Sequence, residues 1–77
     1  VEEESVSVFP NPVSSIITIK EIHSSSIEIY DVVGRLIDIH QSGGGEEHLD
    51  MTKYTNGVYF IKIIEGEKTK TFKILKY

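Results

Sequence analysis

Residues 57–64, Gly-Val-Tyr-Phe-Ile-Lys-Ile-Ile, decide the fold class of this chain. The run is rich in β-branched and aromatic residues and lacks helical spacing, so it reads as a strand. Its two faces differ. Val58, Phe60 and Ile64 share one face with Lys62, whereas Tyr59, Ile61 and Ile63 share the other. A lysine in the middle of a face argues that this face is the solvated one. Tyr59, Ile61 and Ile63 are therefore expected in the core. Glu65-Gly66 follows and reads as a two-residue hairpin turn into a last strand at Lys70–Leu75. There Phe72 and Ile74 are expected inward, with Thr71, Lys73 and Leu75 on the other side.

Outward from this hairpin, the same alternation recurs in short runs broken by turn residues. Ser5–Phe9 places Val6 and Val8 on one side. Ile17 and Ile19 alternate with Thr18 and Lys20. Ile27 and Ile29 flank Glu28, and Ile37 and Ile39 flank Asp38. Leu49 and Met51 lie on a weaker run. About seven short, mostly antiparallel strands at this spacing predict an all-β sandwich. Each fully buried apolar side chain stabilises by roughly 1.5–3 kcal/mol, so about a dozen can hold a small sandwich.

The connections carry their own signals. Asp31-Val32-Val33-Gly34 fits a type I turn with Asp first and Gly fourth. A left-handed Gly34 would close a three-residue hairpin loop with a bulge, joining a strand ending at Tyr30 to one starting at Arg35. Asn56-Gly57 fits either a primed hairpin turn or a corner between sheets. Gly43-Gly44-Gly45 reads as a flexible hairpin loop. Ser14-Ser15 and Ser24–Ser26 read as turn or strand-edge chemistry. In Pro10-Asn11-Pro12, each proline fixes its own φ and lacks an N–H, and Phe9 and Asn11 are pushed toward extended conformations. The segment is expected to be a rigid corner ahead of the first core strand.

With 77 residues there is room for one domain. The opening Val1, where a Met would start a complete chain, leads us to expect a longer parent protein, and any signal peptide would lie upstream. No Cys is present, which excludes disulfides and thiolate metal sites. Apolar residues make up 39% and charged ones 26%, unlike a disordered tail. No apolar run is long enough for a membrane span. Charge is divided: residues 1–50 hold ten acidic and two basic residues, whereas residues 51–77 hold six lysines and two glutamates. One Arg and an acidic balance argue against nucleic acid.

Searches for chemistry give little. His23, His40 and His48 match no zinc spacing. Glu46, Glu47, His48 and Asp50 do not form a calcium loop of EF-hand type and read as a polar tip. The glycine run lacks the Lys-Ser/Thr of a phosphate loop. No nucleophile elbow is present. Glu2–Glu4 reads as a solvated terminus. The expectation is no enzyme, no cofactor and no metal.

Four landmarks then line up in order: VFPNPV (8–13), IEIYDVVGRLI (27–37), NGVYFIKI (56–63) and KTFKILKY (70–77). The series resembles the type A C-terminal sorting domain of the type IX secretion system of Bacteroidetes. Read this way, residues 1–7 are an N-terminal junction with the start of the first strand, and residues 8–77 are the sorting domain. The resemblance implies an immunoglobulin-like sandwich that serves as an export address for an upstream cargo domain. It implies passage through the periplasm, reading by the type IX machinery, removal by a sortase-like cysteine peptidase, and delivery of the cargo to the surface or medium. The domain itself would not insert in a membrane.

On this reading Pro10, Asn11, Pro12, Asp31, Gly34, Gly57 and Tyr59 are structural, as corner, turn, turn, corner and core. The expected recognition surface is the last strand with Lys68, Lys70, Lys73 and Lys76, which would steer association. The plainer reading of those lysines is protection of a sheet edge from aggregation. The rival function is an adhesion or carbohydrate-binding sandwich, for which Tyr30, Tyr54 and Phe60 are the available aromatics. A spacer domain is a second rival.

Overall fold

The computed structural model describes residues 6–77, in which seven strands and no helix form. Glu2–Glu4, expected as a solvated terminus, and Ser5, expected to open the first strand, lie outside the described residues. The strands are β1 (Ser7–Phe9), β2 (Ile16–Ile22), β3 (Ser25–Asp31), β4 (Leu36–Ser42), β5 (Gly45–Asp50), β6 (Gly57–Glu65) and β7 (Lys68–Lys76). They make two antiparallel sheets, β1-β2-β5 and β4-β3-β6-β7, stacked as a sandwich.

The core lies between the sheets because alternation sends every second side chain to one face. Tyr59, Ile61 and Ile63 of β6 are buried there, as their separation from Lys62 predicts. They meet Ile27 and Ile29 of β3, Ile17, Ile19 and Ile22 of β2, Leu49, Met51, Ile74 and Val13. Val6, Val8, Tyr54 and Phe72 pack around this cluster, half-buried. The burial of Ile22 depends on a register shift between Lys20 and Ile22. One extra residue restores Ile22 to the face of Ile17 and Ile19, which simple alternation denies it.

The β3–β4 hairpin turns where expected. Gly34 N–H donates to Asp31 O at 3.0 Å, and Gly34 sits at φ +91°. The flanking strands end at Asp31 and restart at Leu36, each boundary one residue later in the chain than expected. The β6–β7 turn is also offset by one residue. Glu65 pairs with Lys68, so Gly66-Glu67 forms the loop in place of Glu65-Gly66.

Two loops differ in kind from expectation or decide an open choice. Gly43–Gly45 does not close a hairpin: it carries the chain from β4 in one sheet to β5 in the other. There it lies against the β2–β3 crossing, close enough that a Cβ on Gly44 would stand 3.4 Å from Ile22 O. Asn56-Gly57 is the corner, not the primed turn, since it leads from β5 to β6 across the sheets.

In β4 the alternation is real but its sense is reversed. Leu36 and Ile39 face outward and Ile37 is also exposed, while Asp38 and His40 lie on the side of Ile29 and Ile27, with which they pair. The strand is at the sheet edge, where the opposite sheet no longer covers it fully, so polar side chains on its inner face reach partners at the rim.

Candidate recognition surface on the last strand

β7 forms the second edge of the four-stranded sheet, paired with β6 from Gly57↔Lys76 to Glu65↔Lys68 without a break in register. Even-numbered side chains face the other sheet and odd-numbered ones face away. The four lysines therefore do not make one surface. Lys68, Lys70 and Lys76 share the inner face with Phe72 and Ile74, and Lys73 stands on the outer face with Thr69, Thr71 and Leu75.

Burial separates them further. Lys68, Lys70 and Lys73 are exposed, whereas Lys76 is only 6% exposed. Its ammonium lies 3.5 Å from Asn56 Oδ1 and 3.5 Å from Tyr77 O. Lys76 shares the parity of Ile74 and falls where the sandwich is closed, so its stem is enclosed and only its tip reaches polar atoms. Lys68 and Lys70 share that parity at the end of the strand where the opposite sheet has run out.

The free side of β7 is partly occupied by the proline segment. Asn11 Nδ2 donates to Lys73 O at 2.9 Å, and Leu75 N–H donates to Asn11 Oδ1 at 3.0 Å. A side-chain amide here stands in for a strand's backbone amide. Val13 continues the pairing: its N–H donates to Leu75 O at 2.8 Å, and Tyr77 N–H donates to Val13 O at 3.0 Å. Pro10 and Pro12 flank Asn11, exposed, with both X–Pro bonds cis. Neither has an N–H to offer, which leaves the pairing to Asn11 and Val13. Val13 is buried and was not singled out by the sequence; a lone Val beyond a proline carries no pattern.

The other structural positions are spread over the sandwich. Asp31 Oδ1 accepts from the N–H of Val33 at 3.1 Å and of Arg35 at 2.9 Å, and Oδ2 accepts from Arg35 Nε at 2.7 Å. The Arg35 N–H above all, with the guanidinium and Val33 N–H, holds the Asp31 carboxyl below the usual range, against a smaller opposing effect of burial. Tyr59 hydroxyl donates to Thr55 O at 2.6 Å, and its ring lies 5.5 Å from that of Tyr54. Tyr54 hydroxyl in turn donates to Asp38 Oδ2 at 3.1 Å. Burial first, then this bond to a carboxylate, pushes the Tyr54 phenol up to about 12.

The three aromatics considered for glycan binding do not form one platform. Tyr54 packs against the core, while Tyr30 and Phe60 are half-buried neighbours on the outer sheet face. The acidic residues considered for calcium divide between the faces of β5: Glu46 pairs with His48 at 3.0 Å, and Glu47 accepts from Ser42 Oγ at 2.9 Å. Among the described residues no group of three His, Asp or Glu side chains is placed to hold a metal.

Two antiparallel sheets stacked in this way, with one edge strand partly covered by residues 11–13, make a small all-β sandwich domain. The model of the secretion system C-terminal sorting domain family matches residues 7–77, and the chain belongs to that family. Such a domain is the C-terminal sorting signal of the type IX secretion system, whose cargo is exported across the outer membrane. Comparison with curated proteins gave no match. Among solved structures, the chain is similar to one from a study of PorZ, an essential bacterial surface component of the type-IX secretion system of Porphyromonas gingivalis. The likeness has a TM-score of 0.81 at 24% identity and covers 95% of this chain but 11% of that one. It shows the sandwich fold.

Proposed function

We propose that this domain is read in the periplasm by the type IX machinery and commits an upstream cargo domain of the same chain to cross the outer membrane. Residues 1–7 hold the junction with that cargo and the start of the first strand. A sortase-like cysteine peptidase then removes the domain, and the cargo reaches the surface or the medium. The domain acts as ligand and substrate and performs no chemistry of its own. The observation that carries this reading is the family match over residues 7–77, which takes in every strand of both sheets. The exposed lysines Lys68, Lys70 and Lys73 on β7 supply a surface with which a partner can be steered.

A reporter fused upstream of this segment, in a type IX-competent cell, tests the reading. With the domain, the reporter is expected outside the cell; without it, in the periplasm. Equal surface delivery of the two fusions would refute the export role.

A further inference from the structure

Asn11 and Val13 cover β7 only from Lys73 to Tyr77. Leu75 turns both its N–H and its C=O to that side, so by the alternation of an antiparallel ladder Lys73, Thr71 and Thr69 do the same. Lys73 O is taken by Asn11. The remaining outward groups are the N–H and C=O of Thr69 and Thr71 and the N–H of Lys73. Among the described residues none of these pairs with backbone, and residues 66–71 are exposed. An unpaired row of backbone donors and acceptors is a template for another strand. The adjoining half of the same edge already holds strand-like partners from this chain.

The side chains here specify the chemistry of a guest. Lys68 and Lys70 stand on one face of this stretch and Lys73 on the other, all exposed. Glu65, at the start of the turn, is engaged with the His23 N–H at 3.0 Å. A guest strand laid along Thr69–Lys73 would bring its alternate side chains beside Lys68 and Lys70, where opposite charges stabilise cross-strand pairs. We propose that the uncovered half of β7, Thr69–Lys73, is a strand-addition site for an extended segment of the secretion machinery with acidic residues at every second position. This rests on the sorting reading above and adds the surface, the binding mode and the partner's chemistry.

The probe is a blocked hexapeptide of alternating Glu and Val, titrated into the full isotope-labelled chain and followed by amide NMR. Shifts are expected at Thr69, Thr71 and Lys73, with slowed amide exchange there. The same peptide N-methylated on alternate residues keeps its charge but loses the ladder, and should bind roughly tenfold or more weakly, the equivalent of about one to two hydrogen bonds. Thr71→Pro removes only an outward donor, which an edge strand tolerates, and should weaken binding similarly. Lys68→Glu with Lys73→Glu should also weaken it. Equal binding of the N-methylated peptide to the unaltered chain, or shifts centred on β4, would overturn strand addition. In cells, a folded Thr71→Pro fusion delivered at the normal level would show that the machinery does not use this edge, leaving the sorting reading intact. Normal delivery without the whole domain would sink the sorting reading instead.

Discussion

The two edges of the four-stranded sheet are protected by opposite means. β4 turns Leu36 and Ile39 to solvent, each 48% exposed, and folds its charge inward. Asp38 on its inner face accepts from Tyr54 hydroxyl at 3.1 Å and lies 3.3 Å from Lys53 Nζ. A register shift between Ile29 and Tyr30 leaves Ile37 without a partner and bends the strand. Inward charge and a bulge are both devices that spoil an edge for pairing. β7 instead buries Ile74, turns Leu75 outward, shows Lys68, Lys70 and Lys73, and has part of its free edge occupied by Asn11 and Val13. One edge is blunted along its length by shape. The other is covered by Asn11 and Val13 over part of its length and remains regular elsewhere. The regular remainder is the part suited to recognition.

Breaking what both edges share should have the largest effect. Ile61 is fully buried in β6, between β3 and β7. Ile61→Ala removes its packing and leaves a cavity, costing about 2–5 kcal/mol. A domain of this size has little stability to spare. Denaturant unfolding should show most or all of it lost, with amide protection vanishing from β4 and β7 together.

Gly34→Val should separate the edges. Its φ of +91° is one that a β-branched residue resists, at about 1–3 kcal/mol. The turn belongs to β3–β4 alone, so exchange should speed at Asp38 and His40, which pair with Ile29 and Ile27, before it does at Phe72 or Ile74. An unchanged melting temperature would contradict the role of this turn.

This contrast also marks what could be read from the sequence. Both edges announced themselves as strands, because alternation needs only neighbours along the chain. The inner face of β6 was legible too, since Lys62 labels the other side. The face of β4 was not legible: two isoleucines around one aspartate look inward-facing. Only Tyr54 and Lys53, brought from another loop, make Asp38 the inner residue. The lysines of β7 looked like one surface because sequence gives spacing without the end of the opposing sheet. Lys76 is enclosed and Lys68 exposed on the same face, and nothing local to either says so. Asn11 stood out between its prolines, but its partners lie more than sixty positions away.

Asn11→Ala sharpens the comparison from the side of β7. Two hydrogen bonds disappear at an exposed site, where each is worth about 0.5–1.5 kcal/mol net. The cost should be about 1–2 kcal/mol. Faster exchange is expected at Leu75, with Tyr77 less affected because Val13 O still accepts its N–H. His40 on β4 should be unmoved, and loss of protection there would mean that the two edges are not independent.

The smallest effect is expected from pH, and it should fall on β4. The Asp31 carboxyl is held down chiefly by the Arg35 N–H. For Asp38 burial works upward, but the Tyr54 hydroxyl, the Ile39 N–H and Lys53 outweigh it and its carboxyl is also lowered. A carboxyl lowered in the fold gives stability that is complete above its unfolded value, near 3.9, and is lost as pH falls through the folded one. Tyr54 has the opposite sign: a phenol raised to about 12 gives stability complete below about 10 and lost as pH rises through 12. All three groups border β4, whereas Asn11, which holds the free side of β7, does not titrate. Amide exchange followed as pH falls below about 3.9, corrected for its intrinsic pH dependence, should therefore show β4 opening before β7. Loss of both edges at one pH midpoint would mean that these carboxylates stabilise the whole sandwich and not its β4 side.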